Sequence, residues 1–515
     1  MTLHALPYLA VLILLAPVAW ATRRPGLRPG ALPRAAEAAA AAAFAVALGM
    51  LAVLLSAGPG TGALIPGFAA RLDVVSVTMA ILVAFVGWVV LRYSVRYLDG
   101  EPMQGAFTGR VAGLLAAILM LVTAGTLWQL VLAWIAVSVL LRKLLLTYPD
   151  RVGAQRAARK MQLATGAGDA ALIVAAALLG LSFGTADIAA IAEAAKAGPA
   201  APAVLWAAGL IAVAAVLKSA LMPLHGWLTE VMEAPTPVSA LLHAGVINAG
   251  GFLMIRFADV MLAAPGVLAV VALFGGLSAI LGGLVMLTQP AIKTALAWST
   301  IAQMGFMVLQ CGLALFPLAL LHIVAHSLYK AHAFLGSGGA VGAVLATRRP
   351  GPVAVPSARA VARAFVIALA IYGAVGLAFG FDAKSPQAIA LGAILILGVA
   401  YLIAQGLADA APRELTRRTG LAALAAALGY FTLQRLAEAA TLGTLPPAPA
   451  PGPLEWAVLW LAVLSFGAVA WAQAAFPLWS NHPAAAGLRV HLSNGLYANA
   501  VFDRLIRGWA APEKS

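Results

Sequence analysis

The sequence predicts an all-α polytopic membrane protein, on the evidence of its composition and of the length of its apolar runs. Of its 515 residues, 63% are hydrophobic and only 10% are charged, whereas a soluble protein carries roughly 25% charged residues. Apolar runs long enough to cross a bilayer as helices recur along the whole chain. We therefore predict a bundle of about 14–15 transmembrane helices rather than a soluble domain.

The first predicted span, 5–22, is followed by Arg23 and Arg24, so the positive charge comes after the apolar run. A cleaved signal peptide carries its positive charge before the run, and we therefore expect a retained first helix. Only Gly125 and Thr126 separate the fourth and fifth spans. The predicted spans are 5–22, 35–57, 73–93, 111–125, 127–146, 163–182, 203–222, 236–257, 266–288, 292–315, 317–345, 362–380, 387–408, 420–440 and 455–477.

The basic residues predict an orientation in the membrane. The net charge of +14 could indicate a nucleic-acid partner, but the basic residues lie in short connections between apolar runs. The strongly basic connections are all odd-numbered, whereas the sixth holds Asp187, Glu193 and a single Lys196. By the positive-inside rule, we expect a bacterial inner-membrane protein with its N-terminus outside and its C-terminus in the cytoplasm.

One stretch, 217–256, places ionisable residues in otherwise apolar surroundings: LKSALMPLHGWLTEVMEAPTPVSALLHAGVINAGGFLMIR. Pro223 must break or kink any helix that runs through it. Ionisable residues at membrane depth are costly and are usually functional, although ordinary interfacial charges at a helix end are the alternative. The ionisable candidates of this stretch are Lys218, His225, Glu230, Glu233 and His243.

A second polar cluster lies in 321–338, LHIVAHSLYKAHAFLGSG. His322, His326 and Lys330 are spaced four apart, so they share one face of a helix. Histidine titrates near neutrality and a desolvated lysine can approach that range, which favours a proton relay. A zinc site is the competing interpretation, but Lys330 would repel the ion, and neither a cysteine nor a carboxylate is nearby in sequence. The glycines that follow, from Gly336 onward, predict a second helix break.

Two further polar positions are ambiguous. Lys293 begins KTALAWSTIAQMGFM and is either an interfacial anchor or part of an ion path, while Ser299 and Thr300 behind it favour helix–helix contacts. Asp169 is either an interfacial cap or the acidic end of a relay. We expect a polar axis across the bundle, with Glu233 as the countercharge of Lys218. Its members are Lys218, His243, Lys293, His326 and Lys330.

These segments resemble the antiporter-like, proton-conducting subunits of respiratory complex I and of Mrp-type sodium/proton antiporters, over about 190 residues from 160 to 345. The resemblance implies two inverted five-helix repeats with broken helices. It divides the chain into N-terminal helices (1–110), a first repeat (111–258), a second repeat (259–410), C-terminal helices (411–480) and a cytoplasmic amphipathic tail (481–515).

The resemblance also implies roles for individual residues. Lys218 is similar to the central lysine of the broken seventh helix, and His243 to the histidine of the eighth. Lys293 is similar to the lysine before a LAYST-like motif. His322, His326 and Lys330 resemble the relay of the eleventh helix, and Asp169 stands where the family has a Gly-Asp pair. His225, Glu230 and Glu233 are expected to be accessory relay or ion-pair residues.

Two departures from the family pattern stand out. The family places a glutamate directly after a tryptophan in the fifth helix, as partner of the central lysine, but this chain has Ile135 after Trp134. The twelfth span, 362–380, carries only Arg363 at its edge, where the family has an embedded lysine or glutamate. Both departures remove residues that the family uses where ions enter and leave its standard route.

The fifth helix, AWIAVSVLLRKLLLTYPDR, the basic run up to Lys160, and the tail RVHLSNGLYANAVFDRL resemble the membrane subunit of the two-component DAB inorganic-carbon pump. That resemblance implies a cation gradient, with protons favoured, that drives hydration of carbon dioxide to bicarbonate. A large cytoplasmic, zinc-containing, carbonic-anhydrase-like partner would carry out the chemistry. In this chain we expect no cofactor, no metal site and no catalytic residue.

The tail is amphipathic, with Leu492 and Val501 among basic residues, which is typical of a segment on the membrane surface or on a partner, and a solvated tail is an equal alternative on its periodicity alone. Its candidate docking residues are Arg489, His491, Asn494, Tyr497, Phe502 and Arg504. Two other functions stay open. One is a pump or antiporter subunit of complex I or Mrp type, and the other is a non-conducting scaffold, which the missing glutamate at Ile135 favours.

Overall fold

The computed structural model describes residues 3–198, 201–339, 356–381, 384–408 and 411–507. Within these ranges the chain is a helical bundle, and fourteen helices are long and apolar enough to cross a membrane. A fifteenth, Pro202–Lys218, is apolar but shorter. Each of the fifteen predicted spans coincides with one of these helices, so the predicted fold class is confirmed, while the inverted repeats stay a prediction.

Among its described residues, the first half of the chain contains twelve α-helices and one hairpin. The helices are α1 (Pro7–Arg23), α2 (Leu32–Ala57), α3 (Val74–Tyr97), α4 (Gln104–Val122), α5 (Leu127–Leu145), α6 (Val152–Phe183), α7 (Ile188–Lys196), α8 (Pro202–Lys218), α9 (Gly226–Thr229), α10 (Thr236–Ala244), α11 (Ala249–Arg256) and α12 (Ala258–Leu262). Strands β1 (Gly60–Ile65) and β2 (Phe68–Leu72) pair antiparallel between α2 and α3. The hairpin is a small exception to the all-α prediction.

The second half continues with helices alone among the described residues. They are α13 (Pro265–Met286), α14 (Ile292–Gly312), α15 (Phe316–Gly336), α16 (Ala358–Ala378), α17 (Pro386–Gly406), α18 (Arg413–Ala440), α19 (Pro453–Ala474), α20 (Phe476–Trp479), α21 (Pro483–Ser493) and α22 (Ala498–Arg507).

Contacts between connections show which helix ends lie together. At one end of the bundle, the N–H of Gly105 donates to the carbonyl of Gly26 at 3.2 Å. Arg110 Nη1 donates to the carbonyl of Lys143 at 3.1 Å, so the first, third and fifth connections lie on one side, as their charge predicted. We call this side the basic end.

The opposite side, which we call the far end, is held together by backbone hydrogen bonds. The N–H of Arg71 in the hairpin donates to Thr123 at 2.8 Å, and that of Leu127 donates to Ala186 at 2.9 Å. The sixth connection therefore lies opposite the basic connections. The predicted alternation of sides is confirmed in this part of the chain.

Helices α13 and α14 pack closely because glycines face each other across their interface. A Cβ at Gly275 would collide with the backbone N of Leu309, and one at Gly305 would collide with that of Ala279. In a membrane, such small residues allow backbones to approach where no hydrophobic effect drives helices together. This packing holds α14, which carries Lys293 and Thr300, close against α13.

Three differences from the predicted spans bear on the polar residues. Helix α8 ends at Lys218, five residues before Pro223, and the chain then turns through Ala220, whose φ of 50° is left-handed. Helix α6 begins at Val152, eleven residues before the predicted span. The eighth span is itself broken, since α10 and α11 are separated by Gly245 and a 3₁₀ turn at Val246–Asn248. Helix α15 ends at Gly336, where a break was predicted, and a 3₁₀ turn follows at Ser337–Gly339. The remainder of the predicted span 317–345 lies outside the described residues.

Candidate functional site

Lys218 is buried where α8 ends in the middle of the bundle. Its side chain is only 2% exposed. The ammonium donates to Ser138 Oγ at 2.5 Å and to the carbonyl of Trp134 at 3.3 Å, and it lies 4.5 Å from the centroid of the Trp134 ring. A buried charge requires such partners, because desolvation of an ion is costly. The end of α8 at Lys218 therefore places a charged amine against α5.

Asp169 supplies the countercharge. Its Oδ1 lies 3.6 Å from Lys218 Nζ and accepts a hydrogen bond of 3.0 Å from Ser138 Oγ. Asp169 is in the middle of α6, so the interpretation as an interfacial cap is wrong. The carboxylate missing at Ile135 is thus present on a different helix. Glu233 was the predicted partner of Lys218, but its side chain lies outside the described residues.

A second cluster forms where α10, α14 and α15 meet. The imidazole Nδ1 of His243 contacts Thr300 Oγ1 at 3.0 Å, and His326 Nε2 contacts the carbonyl of His243 at 3.2 Å. Lys330 Nζ donates to the carbonyl of Leu296 at 3.1 Å. His243, His326 and Lys330 are all at most 5% exposed. Thr300 therefore contacts His243 directly, and this bond between α14 and α10 agrees with the helix–helix role predicted for it.

The break between α10 and α11 joins the two clusters. Ser219 Oγ, next to Lys218, donates to the carbonyl of Ile247 at 3.2 Å, and Asn248 Nδ2 donates to Ser327 Oγ at 2.9 Å on α15. A Cβ at Gly250 would collide with the carbonyl oxygen of Ala215, so α11 can approach α8 only with glycine there. Irregular backbone at this depth is tolerated where it is buried in protein or lines a cavity.

The stripe on α15 continues from His326 to His322, whose ring centroid lies 5.9 Å from that of His326. Several buried polar atoms along this line have no hydrogen-bond partner among the described residues: His243 Nε2, His322 Nε2 and Asn248 Oδ1. Buried polar atoms are almost always paired, and exceptions occur at sites of function or of bound water. Such atoms are available to accept or donate a proton.

Lys293 does not join this line. It lies in the first turn of α14, is partly exposed, and makes no hydrogen bond or ion pair within the described ranges. Lys330 instead contacts Leu296, one turn further along. In the part of the chain that the structure describes, no three or more His, Cys, Asp or Glu side chains are grouped so that they could hold a metal ion.

A third buried cluster lies at the basic end, and its centre, Lys160, was missed in the sequence. Lys160 is 2% exposed and contacts Glu230 Oε1 at 2.5 Å, Asp503 Oδ1 at 2.6 Å and Asn499 Oδ1 at 2.9 Å. Lys160 belongs to a basic run that resembles a loop, whereas it lies inside α6. His225, predicted as an accessory residue, is buried nearby with its ring 4.7 Å from that of Trp298.

The tail folds across the basic end. Leu492 is buried and Gly495 fits against the Trp298 ring, but Val501 is 56% exposed, so the predicted apolar face is wrong at that position. The polar side chains of Asn499 and Asp503 face the bundle instead. Most of the candidate docking residues remain on the outer surface: Arg489, His491, Asn494, Tyr497 and Arg504 are exposed, and Phe502 is partly exposed.

A fourth cluster, at the far end, has a structural character. Arg256 contacts both carboxylate oxygens of Asp73, at 2.5 and 3.3 Å, and Arg71 contacts Asp73 at 2.8 Å. Burial opposes ionisation of Asp73, but the two guanidinium groups outweigh it and lower its pKa to about 2. The cluster ties the start of α3 to the hairpin and to the end of α11.

Comparison with known proteins agrees with this architecture. Residues 124–384 match the family model of the NADH:quinone oxidoreductase/Mrp antiporter transmembrane region, and residues 61–108 match that of the complex I chain 5 N-terminus. A solved Mrp complex from Dietzia sp. DQ12-45-1b superposes with a TM-score of 0.64 at 24% identity, covering 99% of this chain and 59% of that one.

Curated relatives are similar over long stretches. The probable inorganic carbon transporter subunit DabB2 of Halothiobacillus neapolitanus is 39% identical over 89% of this chain and 83% of its own length. The probable subunit DabB of Hydrogenovibrio crunogenus is 41% identical over 52% of each chain. NADH-quinone oxidoreductase subunit L of Mycobacterium tuberculosis is 36% identical over 55% of this chain and 45% of its own length.

Proposed function

This chain belongs to the NADH:quinone oxidoreductase/Mrp antiporter family of membrane subunits, in the branch of the inorganic carbon transporter subunits, and from this premise we propose that it conducts protons to energise inorganic-carbon accumulation. The observation that carries the proposal is the buried pair of Lys218 and Asp169, bridged by Ser138. A charged pair held at membrane depth is a functional device by default.

The path runs through the polar side chains that cross the bundle. A proton on Lys218 moves past the broken segment at Gly245–Asn248 to the histidines of α10 and α15 and then to Lys330. The side chains supply titratable stations, and water supplies the steps between them, since stations that are not in direct contact need a bridging molecule. His326 contacts the carbonyl of His243, and His243 contacts Thr300. Thr300 and Lys330 donate to the same carbonyl, that of Leu296, which supports this order.

The carboxylate on α6 supports conduction over a purely structural role. Ile135 removes the family's usual partner of the central lysine, which favoured a non-conducting scaffold. Asp169 restores a carboxylate at 3.6 Å from Lys218 Nζ. A proton that arrives at this pair can neutralise Asp169 and weaken its hold on the ammonium, which allows Lys218 to pass its own proton on.

The partner in this proposal is a large cytoplasmic, zinc-containing, carbonic-anhydrase-like subunit. The basic end faces the cytoplasm of a bacterial inner membrane, because basic connections remain on that side. The outer surface of the tail, with Arg489, Tyr497 and Arg504 exposed, is the docking surface. Proton flow through this chain would make hydration of carbon dioxide to bicarbonate by the partner one-way. Zinc and the hydration chemistry belong to the partner.

Purification of the tagged chain with its bound proteins tests the assembly. Co-elution of one large zinc protein is expected, whereas co-elution of complex I or Mrp subunits would contradict the carbon-accumulation assignment. For conduction, Lys218→Ala is expected to abolish carbon uptake in cells while the complex still assembles. The matched control is Lys196→Ala, which removes an exposed lysine at the far end. Normal uptake in Lys218→Ala would contradict a lysine-based path.

A further inference from the structure

We infer that Lys160, Glu230 and Asp503 form the site at which protons enter or leave the path at the basic end. This inference rests on the proposed function and adds to it a place of exchange with the bulk. The three residues come from α6, from the segment after α9, and from the terminal helix α22. The ligand of the site is the proton, delivered as hydronium or by water.

The geometry is that of one cation between two carboxylates. Lys160 Nζ contacts Glu230 at 2.5 Å and Asp503 at 2.6 Å. Asn499 bridges the same groups, since it accepts from Lys160 at 2.9 Å and its Nδ2 donates to Glu230 Oε1 at 2.9 Å. One ammonium and two carboxylates carry a single negative charge in excess, which the exposed guanidinium of Arg156 offsets only in part because solvent screens it. Such a group has room for one exchangeable proton.

Two other charged or titratable side chains lie beside the site. Arg156, one turn before Lys160 on α6, lies 3.4 Å from Glu230 Oε2 and is 56% exposed, so its charge is screened by solvent. His225, beside Gly226, is the other titratable neighbour and is fully buried. Asn499 packs so closely on Gly226 that a Cβ there would collide with its amide oxygen.

Buried polar atoms that lack a hydrogen-bond partner indicate the direction in which a proton can move. Glu230 Oε2 makes no hydrogen bond, and neither ring nitrogen of His225 has a hydrogen-bond partner in the described part of the chain. The segment that carries both residues begins directly after Lys218. Lys160 is nine residues before Asp169 on α6, or about 13 Å along the helix axis. The site therefore lies between the central pair and the basic end.

The site is partly open to the outside. The side chain of Asp503 is 27% exposed and that of Glu230 15%, whereas that of Lys160 is 2% exposed. A proton from bulk water can therefore reach Asp503 first, pass to Oε2 of Glu230, which makes no hydrogen bond, and continue to His225 and the central pair. Because Asp503 belongs to the tail, the chain's own terminal helix supplies a part of the exchange site.

The test measures proton flux of the complete complex in liposomes, with a pH-sensitive dye enclosed and with the pH at the basic end varied. In Asp503→Asn we expect flux to fall about tenfold or more, as for loss of a proton-transfer group. The midpoint of the flux profile should move to lower pH, because removal of a negative charge weakens proton binding by the rest. Asp503→Glu should restore both.

Two further variants separate the possible outcomes. Glu414→Gln removes an exposed acid that pairs with Arg417 and Arg418, and it should behave as the wild type. The inference is overturned if Asp503→Asn assembles and matches Glu414→Gln in flux and pH profile while Lys218→Ala blocks flux. Normal flux in Lys218→Ala would overturn the proposed function itself. Asp503→Asn is the deciding variant because its residue is partly exposed on the terminal helix, where the change leaves the packing of the bundle intact.

Discussion

Two of the buried lysines of the bundle, Lys218 and Lys330, are held in contrasting ways. Lys218 has a carboxylate, a hydroxyl, a carbonyl and an indole ring around its ammonium. Lys330 has the carbonyl of Leu296 and the ring of Tyr329 at 5.5 Å, and no carboxylate among the described residues contacts it. The charge of Lys218 is thus balanced within the protein, whereas a charge on Lys330 is stabilised by dipoles alone.

This difference indicates that Lys218 and Lys330 have different roles in proton transfer. A lysine with its own countercharge can store a proton stably, while a lysine without one gives its proton up readily. The path would therefore hold charge at α8 and release it at α15. Variants that remove or move the carboxylate test the contrast most strongly.

The largest effect is expected from Asp169→Asn. This change leaves the Lys218 ammonium buried without its countercharge, and flux should fall about a hundredfold, in the range for loss of a proton-transfer group. Proton flux of the complex in liposomes measures it. Asp99→Asn, an exposed acid at the basic end, is the matched control.

A rescue variant sharpens the same prediction. Adding Ile135→Glu to Asp169→Asn places a carboxylate one turn from Ser138, at the position where the family has its glutamate. Partial recovery of flux is expected if a countercharge near Lys218 is what matters. A double variant as inactive as Asp169→Asn alone would show that the position on α6 is itself required.

The next largest effect is expected from Lys330→Met, which keeps the length of the side chain and removes the amine. Flux should fall by about tenfold or more, while thermal stability should hold or increase, because no carboxylate is left unpaired. Thermal unfolding of the purified complex checks stability. A marked loss of stability would contradict this, because it would mean that a negatively charged group pairs with Lys330 in the folded protein.

The Arg256–Asp73 pair extends the comparison to a charge pair with a structural role. Arg256→Met leaves Asp73 buried without its bidentate partner and should destabilise the protein by about 3–5 kcal/mol. Thermal unfolding measures this loss. Flux per folded complex should remain normal, in contrast to Asp169→Asn.

The pH dependence of the same pair has a defined sign. The pKa of Asp73 falls from an ordinary value of 3.8 to about 2 in the folded protein. Its stabilising contribution is therefore complete above pH 3.8 and is lost as the pH falls through about 2. Acid unfolding of Asp73→Asn should be less steep over this interval than that of the wild type.

Ser138→Ala should have a smaller effect. Its hydroxyl contacts both Lys218 and Asp169, and loss of a hydrogen bond to a charged group costs about 1.5–3 kcal/mol. Direct approach of the two charges can compensate part of this. We expect flux to fall several-fold, and a fall as large as that in Asp169→Asn would make the hydroxyl an obligatory station.

The path residues differ in how far the sequence could predict them. The shared face of His322, His326 and Lys330 follows from helical spacing on a single element, and the structure confirms it. Asp169 could be recognised as a candidate, but its pairing with Lys218 depends on how α6 packs against α8 and α5. Spacing along one helix contains no information about such packing.

The misses have related physical causes. Lys160 resembled a loop residue because the first turns of α6 contain arginines. Their charges interrupt the apolar pattern from which the membrane helices were predicted. The break at Gly245 was not predicted because no proline marks it. A single glycine does not indicate a break, since glycines are common in the apolar helices of this chain. The polar inner face of the tail was missed because Asn499 and Asp503 find their partner, Lys160, more than 300 residues away in sequence.

The central claim is that a proton crosses the bundle on Lys218, and proton flux of the purified complex in liposomes tests it most directly. A membrane potential of fixed size should drive protons through the wild type and through Lys196→Ala at the same rate. Lys218→Ala, assembled with its partner in normal amounts, should show no flux above protein-free liposomes. Flux at the wild-type rate in Lys218→Ala would contradict the account.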